Sequence, residues 1–190
     1  EDTIADLCQK IYAANVDAMT QTLGLLRPEA VRAAASLMMG ADKVLCMGQG
    51  GSMILAQEAA HLFATALPNF FPVVDSHIQA MLTAQLTRRD VVLYFSYSGS
   101  TKELLDNLKI ARERGAGVIL ITRFPKSPGA AYADVVLQCG SHEGPFQGGS
   151  VAARIAQLYV VDVLFSELCR RDLEGCRERR ELVAEVLSDK

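Results

Sequence analysis

Residues 91–105 have the sequence VVLYFSYSGSTKELL. The first five residues are apolar and rich in β-formers, which predicts a strand that is buried on both faces. A helical spacing of leucines begins at Leu104, beyond a short run of hydroxyl residues around Gly99. Ser100 and Glu103 have the spacing of a capping box, so the helix is predicted to begin there. The segment is therefore predicted to be a strand, a tight turn and the N-terminus of a helix.

A joint of this kind can bind an anion. Backbone N–H groups at a helix N-terminus lack intrahelical partners, and the helix dipole favours negative charge there. The turn adds the side-chain hydroxyls of Ser96, Ser98, Ser100 and Thr101. A phosphate group can bind such a turn without a cation. Taken alone, the segment fits equally well a turn that does no more than cap the helix.

A second loop of similar kind follows another apolar run, residues 43–47. Its sequence is GQGGS, residues 48–52, and an alanine-rich apolar helix is predicted from about residue 53 to residue 66. The glycines permit a tight turn and the close approach of a ligand. The loop is not a dinucleotide-binding fingerprint, because position 53 is Met, and it is not a Walker A loop, because Gly-Lys-Ser/Thr is absent.

Strands and helices alternate along the chain, which predicts βαβ units and a parallel sheet. Five strands are predicted, at residues 43–47, 69–74, 91–95, 118–121 and 133–137. Pro72 cannot donate to a central ladder, so the second strand is placed at an edge, as in the flavodoxin-like order 2-1-3-4-5. The predicted fold is α/β, a three-layer sandwich with a five-stranded parallel sheet between helices. Strands one and three are then neighbours across the topological switch point, so we expect the two loops to meet in one crevice that binds a phosphate-type ligand.

Additional helices are predicted at both ends of the chain. Residues 1–41 contain two N-terminal helices, residues 42–140 form the βαβ core, and residues 150–190 form the C-terminal helices. The helix predicted over residues 150–169 is apolar around most of its circumference, so we expect it to be largely buried. This helix and the N-terminal pair are predicted to serve either packing within the chain or a subunit interface.

Composition excludes several classes of protein. The 190 residues are most simply one domain, and the net charge of −3, with both signs scattered, argues against nucleic-acid binding by this chain itself. No apolar run approaches the ~18 residues that span a membrane. The five cysteines are odd in number and form no C-x-x-C pair, which favours free thiols in a reducing cytoplasm over disulfides or a zinc site. The chain begins with Glu1 rather than Met, so we expect it to be a piece of a longer protein.

Several segments resemble the sugar isomerase (SIS) domain, a phosphosugar-binding fold. They are Gly48-x-Gly50-x-Ser52, Ser96-x-Ser98-Gly99-x-Thr101, Ser127-Pro128 ahead of Ala133-Asp134-Val135-Val136, and Ala153-Arg154-Ile155-Ala156-Gln157-Leu158. The resemblance covers nearly the whole chain and implies a single SIS domain over residues 1–190.

Among SIS proteins, the chain most resembles the C-terminal effector domain of RpiR-type bacterial transcription regulators. The segments that indicate this are residues 75–77, 96–103 and 153–158. In that family an N-terminal helix-turn-helix domain binds DNA, and the SIS domain senses a sugar phosphate. The resemblance therefore implies a non-catalytic, cytoplasmic sensor without a cofactor, assembled as a homodimer or homotetramer. It also implies that DNA is contacted only through a domain that this sequence lacks.

The resemblance further implies a set of ligand-binding residues. Four hydroxyl residues would hydrogen-bond the phosphate and four other residues would shape the cradle; these are Ser52, Ser96, Ser98 and Thr101, and Gly50, Gly51, Gly99 and Ser100. His77 would contact sugar hydroxyls or an acyl group, and Glu143 would reach the site from a glycine-rich loop. Arg154 could contact the ligand or form a structural pair, and the structural pair is favoured. No catalytic residue and no metal ligand are assigned.

Two other functions remain open. A stand-alone sugar-phosphate isomerase shares the fold and needs a base that moves a proton between adjacent carbons, for which Glu143, with His77 or His142, is available. A sugar-phosphate lyase of the etherase kind is less favoured, because such chains are usually longer. Fold alone does not choose between the sensor and the isomerase.

Overall fold

The computed structural model describes residues 2–140 and 150–188. The α-helices of this part of the chain are α1 (Ile4–Leu25), α2 (Pro28–Met39), α3 (Gly51–Ala64), α4 (Ser76–Ala84), α5 (Lys102–Arg114), α6 (Val151–Arg171) and α7 (Leu173–Ser188). The strands are β1 (Lys43–Gly48), β2 (Phe70–Val73), β3 (Asp90–Phe95), β4 (Gly117–Thr122) and β5 (Val135–Gln138). A short 3₁₀ helix, Pro128–Tyr132, precedes β5.

The strands form one parallel sheet in the order β2-β1-β3-β4-β5, which confirms the predicted topology. Pro72 lies in β2, which pairs only with β1, so its missing N–H faces the open edge. Gly48, the last residue of β1, is in register with Phe95, the last residue of β3. The loops that follow these two strands therefore leave the sheet side by side.

Helices cover both faces of the sheet, as the predicted sandwich requires. Every residue of β3 is buried, and alternate side chains pack into different layers. Leu93 and Phe95 pack in the layer formed by α1, α2, α3 and α6, whereas Val92 and Tyr94 pack against α5 and the end of α4. Two hydrophobic cores, one on each face, therefore hold the sheet in place.

Helix α6 is the central helix of the thicker layer. Eight of its residues are buried, and α1, α2 and α3 all pack against it. The prediction that it is largely buried is thus confirmed, and the covering elements belong to the same chain. Helix α1 leaves Ile4, Tyr12 and Leu23 more than 60% exposed, at 76%, 71% and 66%. The role of these helices in a subunit interface stays a prediction.

The predicted capping box at the start of α5 is wrong. The N-cap of α5 is Thr101, with extended backbone angles, and no side-chain hydrogen bond caps the helix. Glu103 is therefore the second helical residue instead of the third, and the reciprocal bonds of a capping box do not form. Ser100 instead belongs to the turn, where its N–H donates to the Ser98 hydroxyl oxygen at 3.4 Å.

None of the helices in residues 2–140 and 150–188 has the length and apolar character required to cross a membrane.

Candidate functional site

The loop after β1 ends at a helix N-terminus that no side chain caps. Gly50 is the N-cap of α3 and has a positive φ of 53°, a conformation that glycine adopts without strain. Gly51 and Ser52 are the first two residues of the helix, two positions earlier than the sequence pattern predicts. The N–H groups of Ser52 and Met53 donate to the carbonyls of Gln49 and Gly50 at 3.0 and 3.1 Å. The Gly51 N–H and the positive end of the helix dipole remain available to an anion.

The loop after β3 is held by its own serines. The Ser96 hydroxyl oxygen accepts a hydrogen bond from the Gly99 N–H at 3.1 Å, and that of Ser98 accepts from the Ser100 N–H. A hydroxyl that accepts from the backbone still has its hydrogen to donate. Both serines can therefore shape the turn and donate a hydrogen bond outwards at the same time.

Gly99 is required for a second reason besides its positive φ of 64°. A Cβ atom at this position would lie 2.1 Å from the Ser127 hydroxyl oxygen and 2.6 Å from the Ser127 Cβ. The Gly99 carbonyl also accepts a hydrogen bond from the Gly129 N–H at 2.8 Å. The turn after β3 is therefore packed tightly against the loop that follows β4.

Both loops line a single cavity of about 220 Å³ at the carboxyl ends of β1 and β3. This is the switch point of the sheet, where ligands of doubly wound folds bind. The residues that line it are Gln49, Gly51, Ser52, Leu55, Phe95, Ser96, Tyr97, Ser98, Thr101, Ala153, Arg154 and Gln157. The structure thus brings together Gly51, Ser52, Ser96, Ser98 and Thr101 of the predicted set; their contact with a ligand stays a prediction.

The other predicted site residues lie elsewhere. Gly50, Gly99 and Ser100 are in the two loops but not in the cavity wall. His77 is exposed in the first turn of α4, outside that wall. Asp75, the predicted N-cap of α4, accepts a hydrogen bond from the backbone N–H of residue 78 at 2.9 Å. Glu143 and His142 lie outside the residues that the structure describes.

Helix α6 contributes Arg154, for which the sequence left a ligand contact and a structural pair open. Arg154 lines the cavity, and its Nη2 lies 3.3 Å from the position that a Cβ on Gly51 would occupy. Because residue 51 is glycine, the guanidinium can lie directly against the first turn of α3. Among the described residues no carboxylate lies within 4.0 Å of Arg154, and its buried Nε has no hydrogen-bond partner. The expected structural pairing is therefore not found in this part of the chain.

The position of Arg154 also opposes the helix dipole. It lies in the first turn of α6, where a positive charge is unfavourable by about 0.3–1 kcal/mol. An anion in the cavity would offset that cost and supply the missing partner. The sequence signal that could have identified Arg154 is a basic residue in the first turn of a helix that follows a strand. That signal becomes informative only when α6 is known to cross the carboxyl end of the sheet.

A buried glutamine on α4 supports the cavity wall from behind. Gln79 is fully buried, and its amide nitrogen donates to the carbonyls of Val73 at 2.7 Å and Gly48 at 3.1 Å. Its amide oxygen accepts hydrogen bonds from the side chains of Gln49 at 2.7 Å and Asn107 at 3.3 Å. One side chain thus joins the ends of β1 and β2 to a residue of the cavity wall.

Replacing Gln79 with leucine is expected to lower the free energy of unfolding by roughly 2–4 kcal/mol, because several buried polar groups lose their partner at once. Urea denaturation measures this loss. The matched control is Gln85→Leu at the exposed end of the same helix, with an expected change below about 0.5 kcal/mol. Equal stabilities of the two variants would contradict the supporting role of Gln79.

A parallel α/β sheet with hydroxyl-lined loops and uncapped helix N-termini at its switch point defines a domain of the doubly wound α/β class, in which ligands bind at that point. The family model of the SIS domain matches residues 37–167, and the chain belongs to the SIS domain family.

Curated relatives of the chain include HTH-type transcriptional regulators. An uncharacterized HTH-type transcriptional regulator of Caldanaerobacter subterraneus is 34% identical over 188 residues, which are 99% of this chain and 67% of that protein. The HTH-type transcriptional regulator RpiR of Escherichia coli K12 is 27% identical over 169 residues, 89% of this chain and 57% of that protein. The chain therefore spans about two thirds or less of the length of these relatives.

Solved structures share the fold over most of the chain. The Vibrio vulnificus NanR protein complexed with ManNAc-6P has a TM-score of 0.92 and 26% identity, covering 98% of this chain and 70% of that one. A phosphoheptose isomerase from Francisella tularensis has a TM-score of 0.73 and 21% identity, covering 89% of this chain and 100% of that one, which shows the fold alone. Relatives thus include regulators, and the fold is shared with isomerases.

Proposed function

We propose that residues 1–190 form the phosphosugar-binding effector domain of an RpiR-type transcription regulator. The observation that carries this proposal is the convergence of the two serine-bearing loops and Arg154 on one cavity at the switch point. The names of the relatives, HTH-type regulators and a NanR protein complexed with ManNAc-6P, support the same class.

The phosphate group is proposed to bind between the N-termini of α3 and α5. Hydroxyl hydrogens from the loops would donate to its oxygens, together with the Gly51 N–H and the first-turn N–H groups of α5, since no side chain caps either helix. The hydroxyl donors are Ser52, Ser96, Ser98 and Thr101. Arg154 would contact the phosphate from the α6 side, where a planar guanidinium forms charge-assisted hydrogen bonds with phosphate oxygens.

The sugar part is proposed to extend towards α4. His77 lies at the start of that helix, and β2, which precedes it, ends at the same sheet edge as β1. A contact of His77 with sugar hydroxyls or an acyl group is a proposal that its exposed position allows. The role of Glu143 at the sugar, from this subunit or a neighbouring one, is likewise a proposal.

Signalling to DNA is proposed to run through a domain outside this sequence. A ligand changes such a protein only if it binds one of its states more tightly than the other. Helix α1 is a suitable element for the readout because it packs on α6, the helix that carries Arg154, and exposes apolar side chains. Assembly as a homodimer or homotetramer through these helices, and a cytoplasmic location, belong to the same proposal.

The decisive experiment separates binding from turnover. The protein is titrated calorimetrically with hexose, N-acetylhexosamine and pentose phosphates and with the corresponding unphosphorylated sugars. We expect at least one sugar phosphate to bind, its parent sugar not to bind, and the bound ligand to be recovered unchanged after long incubation. Robust aldose–ketose conversion that Glu143→Gln abolishes would favour the isomerase instead.

Ser98→Ala is expected to weaken the binding of the selected sugar phosphate about ten-fold or more. Hydrogen bonds to charged groups contribute roughly 1.5–3 kcal/mol, and this variant removes one such donor. The affinity is measured by calorimetry, with Ser166→Ala as the matched control, since Ser166 is exposed on α6 about 18 Å along the helix from Arg154. An unchanged affinity in Ser98→Ala would count against the phosphate cradle.

A further inference from the structure

The second turn of α6 places a buried amide in the cavity wall. Gln157 is 2% exposed and lines the cavity together with Arg154, three residues before it on the same helix face. Its amide nitrogen donates to the Ala153 carbonyl at 3.2 Å, whereas its amide oxygen has no hydrogen-bond partner among the described residues. The orientation of the amide is set chemically, because an amide oxygen facing the Ala153 carbonyl would place two acceptors against each other.

An unpaired buried acceptor is rare in a folded protein and calls for a partner. The amide oxygen of Gln157 is a hydrogen-bond acceptor, and the unpaired Nε of Arg154 is a donor. The cavity wall therefore offers a ligand one acceptor and one donor. An anion without a donor of its own pairs with the Arg154 Nε but leaves the Gln157 amide oxygen unpaired. A ligand that satisfies both has an anionic group and, close to it, an O–H or N–H donor, since Arg154 and Gln157 are neighbours on one helix face.

We propose that Gln157 determines ligand specificity by accepting a hydrogen bond from a hydroxyl or amide N–H of the ligand. The inference rests on the proposed function and deepens it. The ligand is a phosphate monoester that carries its own hydrogen-bond donor near the phosphate, and Gln157 distinguishes it from inorganic phosphate and from esters without that donor. Arg154 and the loops bind the phosphate group, and Gln157 binds the neutral part of the ligand.

The test compares two probes on two proteins. Wild type and Gln157→Met, which keeps the length of the side chain without an amide oxygen, are titrated with inorganic phosphate and with the sugar phosphate that binds wild type most tightly. We expect Gln157→Met to lose about five- to ten-fold in affinity for the sugar phosphate and to keep its affinity for inorganic phosphate within two-fold. Equal losses for both probes, or no loss for either, would overturn the proposal.

A ligand-side series keeps the proposal testable should the variant fold poorly. Monodeoxy analogues of the same sugar phosphate are titrated against wild type, and one of them is expected to lose at least five-fold, with that loss absent in Gln157→Met. If no analogue loses more than two-fold, the proposal is wrong. Its failure is distinguishable from failure of the proposed function, in which wild type binds none of the sugar phosphates at all.

Discussion

Replacing Arg154 with glutamine is expected to weaken sugar-phosphate binding by about 10- to 100-fold. The guanidinium lines the cavity, lies against the first turn of α3, and has no carboxylate partner in residues 2–140 and 150–188. A charge-assisted hydrogen bond to a phosphate is worth roughly 1.5–3 kcal/mol, which corresponds to this range of affinities. Isothermal titration calorimetry at fixed ionic strength measures the change.

The controls for Arg154 separate a specific contact from a change in overall charge. Arg177→Gln removes one positive charge from an exposed ion pair with Glu181 on α7, and it is expected to leave the affinity within two-fold. Arg154→Lys should retain part of the affinity, because it keeps the charge but loses the planar pair of donors. The free energy of unfolding of unliganded Arg154→Gln should not fall, since the arginine opposes the helix dipole. An affinity loss no larger than that of Arg177→Gln would remove Arg154 from the proposed site.

The second large effect is expected at Gly99. Gly99→Ala combines a left-handed backbone conformation, which costs a residue with a Cβ about 1–3 kcal/mol, with a steric overlap against Ser127 of similar cost. We therefore expect the free energy of unfolding to fall by roughly 2–5 kcal/mol and the melting temperature by about 5–15 °C. Sugar-phosphate affinity should fall as well, because the turn presents Ser98 and Thr101 to the cavity.

Two further variants test the physical cause of the Gly99 effect. Gly24→Ala in α1 meets no atom within 4 Å and is expected to leave the protein equally stable or slightly more stable. Combining Gly99→Ala with Ser127→Gly removes both atoms that the new methyl group overlaps, so part of the stability should return while the backbone strain remains. A double variant no more stable than the sum of its single changes predicts would rule out the steric explanation.

The proposed site combines two sets of groups, one that would bind charge and one that would discriminate among ligands. Neutral donors come from the loops after β1 and β3, and α6 adds a cation and an acceptor that has no partner among the described residues. The sequence predicted phosphate contacts from hydroxyl side chains; the cavity lining adds Arg154, whose contact with a ligand stays a proposal. In the proposed site, the loops bind the anionic group and the α6 side chains select anions that carry a hydrogen-bond donor.

Local patterns in the sequence were sufficient for the architecture. The apolar run at residues 91–95 predicted a doubly buried central strand, Pro72 predicted the edge strand, and the strand order followed from these together with the alternation of elements. The serine- and glycine-rich loops could be found for the same reason. Strand burial, chain reversal and open helix N-termini depend on residues that are close in sequence, so their signals are local.

Only the tertiary structure decided which side chains complete the cavity. Arg154 and Gln157 lie about a hundred residues beyond the first loop, and they reach it because α6 packs across the sheet edge against α3. Gln79 behaves in the same way, since its partners come from β1, β2, β3 and α5. Whether a buried polar atom has a partner depends on every segment that packs around it. The spacing of residues along the chain therefore does not predict it.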